Sequence, residues 1–303
     1  MPRNRAVPVI LVTGANGQVG FELVRELATL GDVVAPPRAE LDLSRPETIR
    51  AVMRRHHPAV IVNAGAYTAV DKAESERALC FAVNAHAPGI LAEEARLIGS
   101  ALIHYSTDYV FDGNNTSPYL ETDYPAPLNS YGESKLAGER AIEAVGESWI
   151  ILRTSWVYGS RRNNFVSTIL CMAREREELR VVDDQIGAPT WSRSIATVTG
   201  QLLSMAKAAG GFAEGVGAAS GTYHLTSAGT TSWHGFATAI LAHDPARQEQ
   251  RCTRLIPIPT EEYPTPAARP RWSVLSNAKL AKQFGLRLPS WESQLRLCLG
   301  TTE

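Results

Sequence analysis

Short apolar runs alternate with amphipathic segments along the first half of the chain. The runs are rich in β-branched residues, which is typical of strands buried on both faces. They span residues 9–12, 32–35, 59–62, 101–105 and 149–152. Segments with apolar residues at helical spacing lie between them. These span residues 19–30, 49–56, 88–98 and 132–145. The alternation predicts an α/β fold with a doubly wound parallel sheet and helices on both faces.

The second half of the chain has a less regular pattern. Prolines cluster over residues 257–270, and the glycine- and alanine-rich stretch 210–221 predicts a flexible surface loop. We therefore predict two units, a sheet domain over residues 1–155 and a smaller substrate-binding lobe over 156–303. Some segments of the second unit are expected to return to the first.

Composition narrows the possible partners. The 303 residues carry a formal net charge of −1, so no broad basic face for nucleic acid is expected. No apolar run approaches membrane-spanning length, and residues 1–8 are polar and lack the apolar core of a signal peptide. Four scattered cysteines without a C-x-x-C pair predict buried free thiols rather than disulfides or a zinc site. The expected compartment is the cytoplasm.

A glycine loop joins the first strand to the first helix. Gly14, Gly17 and Gly20 are spaced G-x-x-G-x-x-G, one residue longer than the usual dinucleotide fingerprint. Glycines let the backbone approach a pyrophosphate, and the helix N-terminus supplies N–H donors. A tight strand-to-helix turn would need the same residues, but the position after a buried strand favours a cofactor. The predicted pyrophosphate site of this Rossmann-type domain comprises Gly14, Asn16, Gly17, Gln18 and Val19.

The end of the second strand indicates which nicotinamide coenzyme is used. NAD-binding folds usually place an acid there for the ribose 2′-hydroxyl, whereas this strand runs into Pro36, Pro37 and Arg38. Arg38 could pair with a 2′-phosphate, or could be an exposed loop arginine. NADPH is the preferred coenzyme, and NADH stays open.

A tyrosine and a lysine start the last predicted helix of the first half. Tyr131 and Lys135 are four residues apart and share one helix face. A nearby cation should lower the pKa of the phenol and make it a usable acid or base. Such a pair is common by chance as a solvated helix pair. Thr107, however, follows another strand and projects into the same crevice, where it could orient a carbonyl oxygen or merely cap a turn.

Longer motifs give these features a family. The chain resembles the extended short-chain dehydrogenase/reductase superfamily and, within it, the dTDP-4-dehydrorhamnose reductase family. NAGAYTAVD at residues 63–71 is close to that family's NAAAYTAVD, with Gly65 in place of an alanine. The other matching motifs lie at residues 13–15, 83–84, 106–113, 127–132, 134–139, 153–159, 185–190, 269–270 and 273–275.

The resemblance implies a role for each matching position. Tyr131 would donate the proton to the sugar C4 oxygen, Lys135 would support it and bind the nicotinamide ribose, and Thr107 would complete the triad. Further cofactor contacts are implied for Asp42, Leu43, Ala64, Ala66 and Tyr67. Further contacts to the sugar nucleotide are implied for Asp108, Trp156, Gln185 and Arg269. Core packing is the alternative for Trp156, and a surface arginine is the alternative for Arg269. Asn84 matches a structural residue.

Two departures separate this chain from relatives. Sugar-nucleotide dehydratases carry an Asp–Glu pair after the threonine, whereas here Asp108 precedes Tyr109, which disfavours dehydration. Some relatives hold Mg²⁺ between subunits with carboxylates. Gln18, Arg193 and Leu295 stand where the resemblance would place such ligands, and none of them is an acid, so no metal is expected.

The resemblance implies NADPH-dependent reduction of the C4 keto group of dTDP-4-dehydro-L-rhamnose, by a monomer or homodimer. One alternative is a reductase or epimerase for another nucleotide sugar. Another is a non-catalytic, cofactor-binding regulatory subunit like that of methionine adenosyltransferase, which the intact Thr107, Tyr131 and Lys135 disfavour.

Overall fold

A computed structural model describes residues 7–300. The strands are β1 Val9–Thr13, β2 Asp32–Val34, β3 Val60–Asn63, β4 Ala101–Thr107, β5 Trp149–Thr154, β6 Val157–Tyr158, β7 Glu178–Val182, β8 Ile186–Gly187, β9 Thr190–Trp191, β10 Gly221–His224, β11 Thr231–Ser232 and β12 Arg254–Ile258. The helices are α1 Gln18–Leu27, α2 Pro46–His56, α3 Val70–Ala73, α4 Arg77–Phe81, α5 Ala87–Ile98, α6 Ser130–Val145, α7 Phe165–Glu175, α8 Ser192–Ala208, α9 Phe212–Ala218, α10 Trp233–Ala242, α11 Ala278–Phe284 and α12 Trp291–Leu299. Single turns are π-helical at Ala82–His86 and 3₁₀ at Asp108–Val110, Arg247–Glu249 and Thr260–Glu262.

Six parallel strands form the central sheet in the order β10-β5-β4-β3-β1-β2. The chain leaves β1 toward β2 on one side and then returns to β3 on the other. The strand order therefore reverses between β1 and β3, and ligands of open α/β sheets bind at such a switch point. The predicted doubly wound parallel sheet is confirmed.

Helices cover both faces of this sheet because its strands alternate between two apolar cores. Ile10 and Val12 pack with helices α1, α8 and α9, whereas Leu11 between them packs with α2, α5 and α6. Successive strand residues point to opposite faces, so one continuous apolar run can serve both cores. The strand predictions from residues 9–152 match β1 to β5 to within two residues at each end.

Segments of the second half contribute to the core that contains Ile10 and Val12. Strand β10 extends the sheet beside β5, and α8 packs against α1. A separate apolar cluster joins α7, β7, α10 and α12 around Phe236 and Trp291. The division at residue 155 stays a prediction. Strand β10, which lies beyond residue 155, is part of the central sheet.

Two expectations about local structure are wrong. The stretch 210–221 is not an open loop, because Phe212 and Val216 are buried on one side of helix α9. The high glycine content of this stretch obscured the helical spacing of Phe212 and Val216. All four cysteines are free, but Cys80 alone is buried, while Cys171 is exposed and the other two are partly exposed.

The structure tests only part of the expectations about the N-terminal segment and membrane-spanning runs. Residues 1–6, which include most of the polar N-terminal segment, lie outside the described residues. Over residues 7–300, the structure contains no helix with the length and hydropathy needed to cross a membrane.

Candidate active site

The glycine loop follows β1 at the switch point. Gly14 has a φ of +66°, and a Cβ atom there would lie 2.6 Å from the Cα of Gly65. A Cβ at Gly20 would lie 2.2 Å from the carbonyl oxygen of Gly14. Any side chain at either position would collide with backbone. Gly17 precedes helix α1 and provides no side-chain cap, and the first turn of the helix has no acid, so its N-terminus suits an anion.

The other predicted pyrophosphate residues are tied to the second half of the chain. Arg162 donates its Nε to the carbonyl oxygen of Asn16 at 2.6 Å, and Gln18 donates its Nε2 to the carbonyl of Val157 at 3.3 Å. Val19 packs against the core. Arg162 adds a cation beside the loop that sequence reasoning missed, because it follows Asn16 by 146 residues.

The predicted adenine end lies after β2. Arg38 Nε is 3.5 Å from Asp42 Oδ2, with the arginine side chain 77% exposed. Hydrogen bonds from the backbone and side chain of Ser44 lower the pKa of Asp42, and Arg38 adds to the effect. Leu43 contacts the neighbouring loop, since a Cβ at Gly65 would lie 2.6 Å from its Cδ1. The glycine at 65 thus leaves room for Leu43.

The segment after β3 is held by Asn84. Its Oδ1 accepts from the backbone N–H of Tyr67 at 2.9 Å, and its Nδ2 donates to the carbonyl of the same residue at 3.0 Å. Tyr67 also donates its hydroxyl to Glu76 at 2.7 Å. Ala64 packs against the core, and Ala66 is exposed at this edge of the sheet. Asn84 therefore fixes the shape of the predicted cofactor segment.

Thr107 ends β4 and faces Tyr131 on helix α6. Its hydroxyl donates to Asp108 Oδ1 at 3.0 Å and accepts from the backbone N–H of Tyr109 at 3.2 Å. It also hydrogen-bonds Tyr131. The capping role that the sequence allowed is thus present, and the contact with a carbonyl oxygen stays a prediction. Burial raises the pKa of Asp108 to about 7, against hydrogen bonds from Ser273 and Thr107.

The expected effect of Lys135 on Tyr131 is wrong. Burial raises the pKa of Tyr131 above its ordinary value of 10.0, the hydrogen bond with Thr107 opposes this, and the charge of Asp108 adds to it. Lys135 is not among the groups that shift it. The phenol is therefore fully protonated at neutral pH, which is the state that a proton donor requires.

Lys135 is buried one helical turn after Tyr131. Its Nζ donates to the carbonyl of Tyr105 at 2.6 Å and lies 3.3 Å from Nε2 of His104. Burial lowers its pKa from 10.5 to about 8, partly offset by the carboxylate of Glu139. The two residues are not a solvated surface pair, because Lys135 is only 2% exposed.

Trp156 and Gln185 belong to one packed group. The Trp156 ring stacks on Trp233, with centroids 3.6 Å apart and an interplanar angle of 4°. A Cβ at Gly187 would lie 2.4 Å from Cε2 of Trp156. Gln185 accepts from Trp233 Nε1 at 3.2 Å and donates to Thr260 Oγ1 at 3.1 Å. Gln185 thus orients the tryptophan pair, and Trp233 is a member of this group that sequence reasoning missed.

Arg269 is bound to the sheet domain. It makes two bonds of 2.8 Å to the two carboxylate oxygens of Asp71, and one of its nitrogens also donates to Thr265 and Ala267. Its side chain is 19% exposed, so it is not a surface arginine. Asp71 closes the NAGAYTAVD motif, and the pair joins that motif to the proline-rich segment.

The Asp71–Arg269 pair should couple these segments measurably. In a double-mutant cycle with D71N and R269Q, we expect a coupling free energy of unfolding of about 1–2 kcal/mol, measured by urea denaturation. The ion pair Arg271–Glu261 is the matched control, since both of its side chains are more than 60% exposed. Its coupling should be below about 1 kcal/mol. Equal couplings in the two cycles would contradict a structural role for Arg269.

The described residues offer no cluster for a metal ion. Across positions 7–300, no three His, Cys, Asp or Glu side chains are grouped to hold one.

Comparisons with known proteins decide the family. Residues 8–303 match the model described as the RmlD substrate binding domain. The chain is 52% identical over 296 residues to a dTDP-4-dehydrorhamnose reductase of Burkholderia thailandensis, covering 96% of this chain and 97% of that protein. It is 44% identical over 290 residues to the Escherichia coli K12 protein of the same name, covering 93% and 94%. The chain belongs to the RmlD family.

Solved structures agree with this family. An RmlD-type reductase from Bacillus anthracis, in complex with NADP, superposes with a TM-score of 0.87 at 35% identity, covering 98% of this chain and all of that one. A UDP-glucose 4-epimerase of Thermus thermophilus, at 21% identity and a TM-score of 0.76, shares the fold. The resemblance read from the motifs is confirmed.

Proposed function

We propose that this RmlD-family chain reduces the C4 keto group of dTDP-4-dehydro-L-rhamnose to give dTDP-L-rhamnose, with NADPH as the reductant. The observation that carries the proposal is the meeting of Thr107, Tyr131 and Lys135 at the carboxyl edge of β4, beside the switch point. Relatives named for this reaction match along nearly the whole chain, which supports the same substrate. The cytoplasm remains the proposed compartment.

A nicotinamide dinucleotide fits the residues at the switch point. The uncapped start of α1 and the side-chain-free surface of the glycine loop suit a pyrophosphate, and Arg162 adds positive charge beside Asn16. Arg38 would meet a 2′-phosphate, which favours NADPH. When bound, the coenzyme supplies the hydride for C4.

The protein's own residues manage the proton. Tyr131 is held protonated by burial and gives its proton to the C4 oxygen. Thr107 turns its hydroxyl proton from Asp108 to that oxygen and orients it beside the phenol. The Lys135 ammonium offers a donor to the nicotinamide ribose. Trp156, ordered by Trp233 and Gln185, and Arg269 with Asp71 shape the side of the cleft that takes the nucleotide sugar.

The direct test is a coupled reduction assay. The keto-sugar is made fresh from dTDP-glucose by the two preceding enzymes, the protein is added with NADPH or NADH, and loss of reduced-nicotinamide absorbance is followed. We expect rapid oxidation of NADPH, with dTDP-L-rhamnose as the product. Protein carrying Tyr131→Phe is the matched control for non-enzymatic oxidation.

Other outcomes would assign the alternatives. An epimerase would convert its sugar nucleotide without net coenzyme oxidation. A regulatory subunit would bind NADPH without turning over any sugar nucleotide. Either result with the fully folded protein would overturn the proposed reduction.

A further inference from the structure

A row of polar side chains crosses the sheet from the glycine loop to Lys135. Thr13, Asn63 and His104 are register partners on the neighbouring strands β1, β3 and β4. Thr13 Oγ1 lies 2.6 Å from Asn63 Oδ1, and Asn63 Nδ2 lies 2.9 Å from His104 Nδ1. His104 Nε2 then lies 3.3 Å from Lys135 Nζ. All four side chains are almost fully buried, so each contact must be matched in donor and acceptor.

The charge of Lys135 decides the hydrogen positions in this row. An ammonium has three donors and no acceptor, so a charged Lys135 needs His104 Nε2 as an acceptor. A neutral imidazole that accepts at Nε2 carries its proton on Nδ1. His104 is neutral, because burial and the charge of Lys135 hold its pKa well below 6.5.

Asn63 completes either arrangement. In one arrangement, Asn63 Nδ2 donates to His104 Nδ1, so the imidazole proton lies on Nε2. Only an uncharged Lys135 amine can accept that proton. Turning the amide by half a turn places its oxygen on the Nδ1 proton and its NH₂ on Thr13 Oγ1. The hydroxyl oxygen of Thr13 already accepts from the backbone N–H of Gly65 at 2.9 Å. Because a hydroxyl oxygen has two lone pairs, it can also accept from the Asn63 NH₂.

We propose that His104 is a positioning residue for Lys135, whose imidazole tautomer changes with the protonation of the lysine and is matched by the amide of Asn63. In the charged state, the carbonyl of Tyr105 and Nε2 of His104 take two of the three N–H groups, which leaves the third for a ribose hydroxyl. The inference rests on the proposed function for that last contact. The tautomer itself is a property of the protein.

The other groups near Lys135 are fixed in their roles. Glu139, on the same helix, makes a bidentate ion pair with Arg153, with a 2.9 Å bond to its Nε. Cys80 on α4 forms a hydrogen bond with Ser134, and burial raises the pKa of the Cys80 thiol. Tyr131 is held protonated by burial. His104 contacts Nζ directly and can change from acceptor to donor without gaining charge.

The test is ¹⁵N NMR of the histidine side chains in coenzyme-free protein, across the titration of Lys135. We expect His104 as the Nδ1–H tautomer below about pH 8 and as the Nε2–H tautomer above it. His224 is the internal control: it is buried on β10 and stays neutral because its pKa is lowered to about 3. A single His104 tautomer across the whole range would overturn the proposal. Reduction of the keto-sugar is not needed for this measurement, so the two proposals fail separately.

Variants give a second, independent measure. His104→Leu removes the acceptor, and we expect about a tenfold loss in kcat/KM. Because the charged lysine loses a partner, the alkaline limb of the pH profile of kcat/KM should shift to lower pH. His104→Gln restores an acceptor oxygen and should recover most of the loss. His224→Gln should leave the limb unchanged. If His104→Leu lowers activity without moving the limb, a merely structural role is indicated and the proposal is wrong.

Discussion

Replacing Tyr131 by phenylalanine is expected to lower kcat for keto-sugar reduction by about 10²–10⁴-fold, the usual contribution of a general acid. The phenol has no close substitute in the structure: the aliphatic hydroxyl of Thr107 is a much weaker acid than a phenol, and the hydroxyl of Tyr109 belongs to a ring edge-on to Tyr131. The measurement is steady-state turnover with saturating NADPH and freshly made keto-sugar.

Binding separates a lost proton donor from a damaged site. Tyr131→Phe keeps the ring and its contact with Tyr109, so the Kd for NADPH, from fluorescence titration, should change less than about threefold. Tyr109→Phe is the matched control, since it removes a neighbouring phenol while keeping a ring. Turnover of Tyr131→Phe within a factor of about ten of the unaltered protein would remove Tyr131 from its proposed role.

The sheet could be predicted from the sequence because its strands are buried on both faces. Continuous apolar runs such as residues 59–62 indicate a buried strand from their composition alone, without knowledge of their neighbours in the fold. Helix α9 could not be predicted in the same way. Its sequence is dominated by glycine and alanine, and only tertiary packing of Phe212 and Val216 overrides that weak helical propensity.

Part of the site could also be predicted. Thr107, Tyr131 and Lys135 each follow a rule about strand ends or helix spacing, and the fold brings them to one edge. The partners of these residues follow no local rule. His104 and Asn63 are 41 residues apart, and strand register alone makes them neighbours. The pKa of Tyr131 depends on burial, which spacing does not report.

The substitution Lys135→Met should be the second most damaging change. Methionine fills similar volume but removes the buried cation and the proposed donor to the ribose. We expect kcat/KM to fall by about 10²-fold or more, with weaker NADPH binding, in contrast to Tyr131→Phe. Coenzyme titration of the two variants side by side gives this distinction. Equal NADPH affinity in both would argue against a ribose contact from Lys135.

The pH dependence of the unaltered protein tests the same lysine without a substitution. Burial lowers the pKa of Lys135 from 10.5 to about 8, so its charge is lost as pH rises through 8. Tyr131 stays protonated over that range, and the alkaline limb of kcat/KM near pH 8 should therefore report Lys135. Stability moves in the opposite direction. Between pH 8 and 10.5 the unfolded lysine binds more protons than the folded one, so this group raises the free energy of unfolding with pH, an increase that Lys135→Met should lack. An activity profile that stays flat up to pH 10.5 would show that the buried lysine keeps its ordinary pKa.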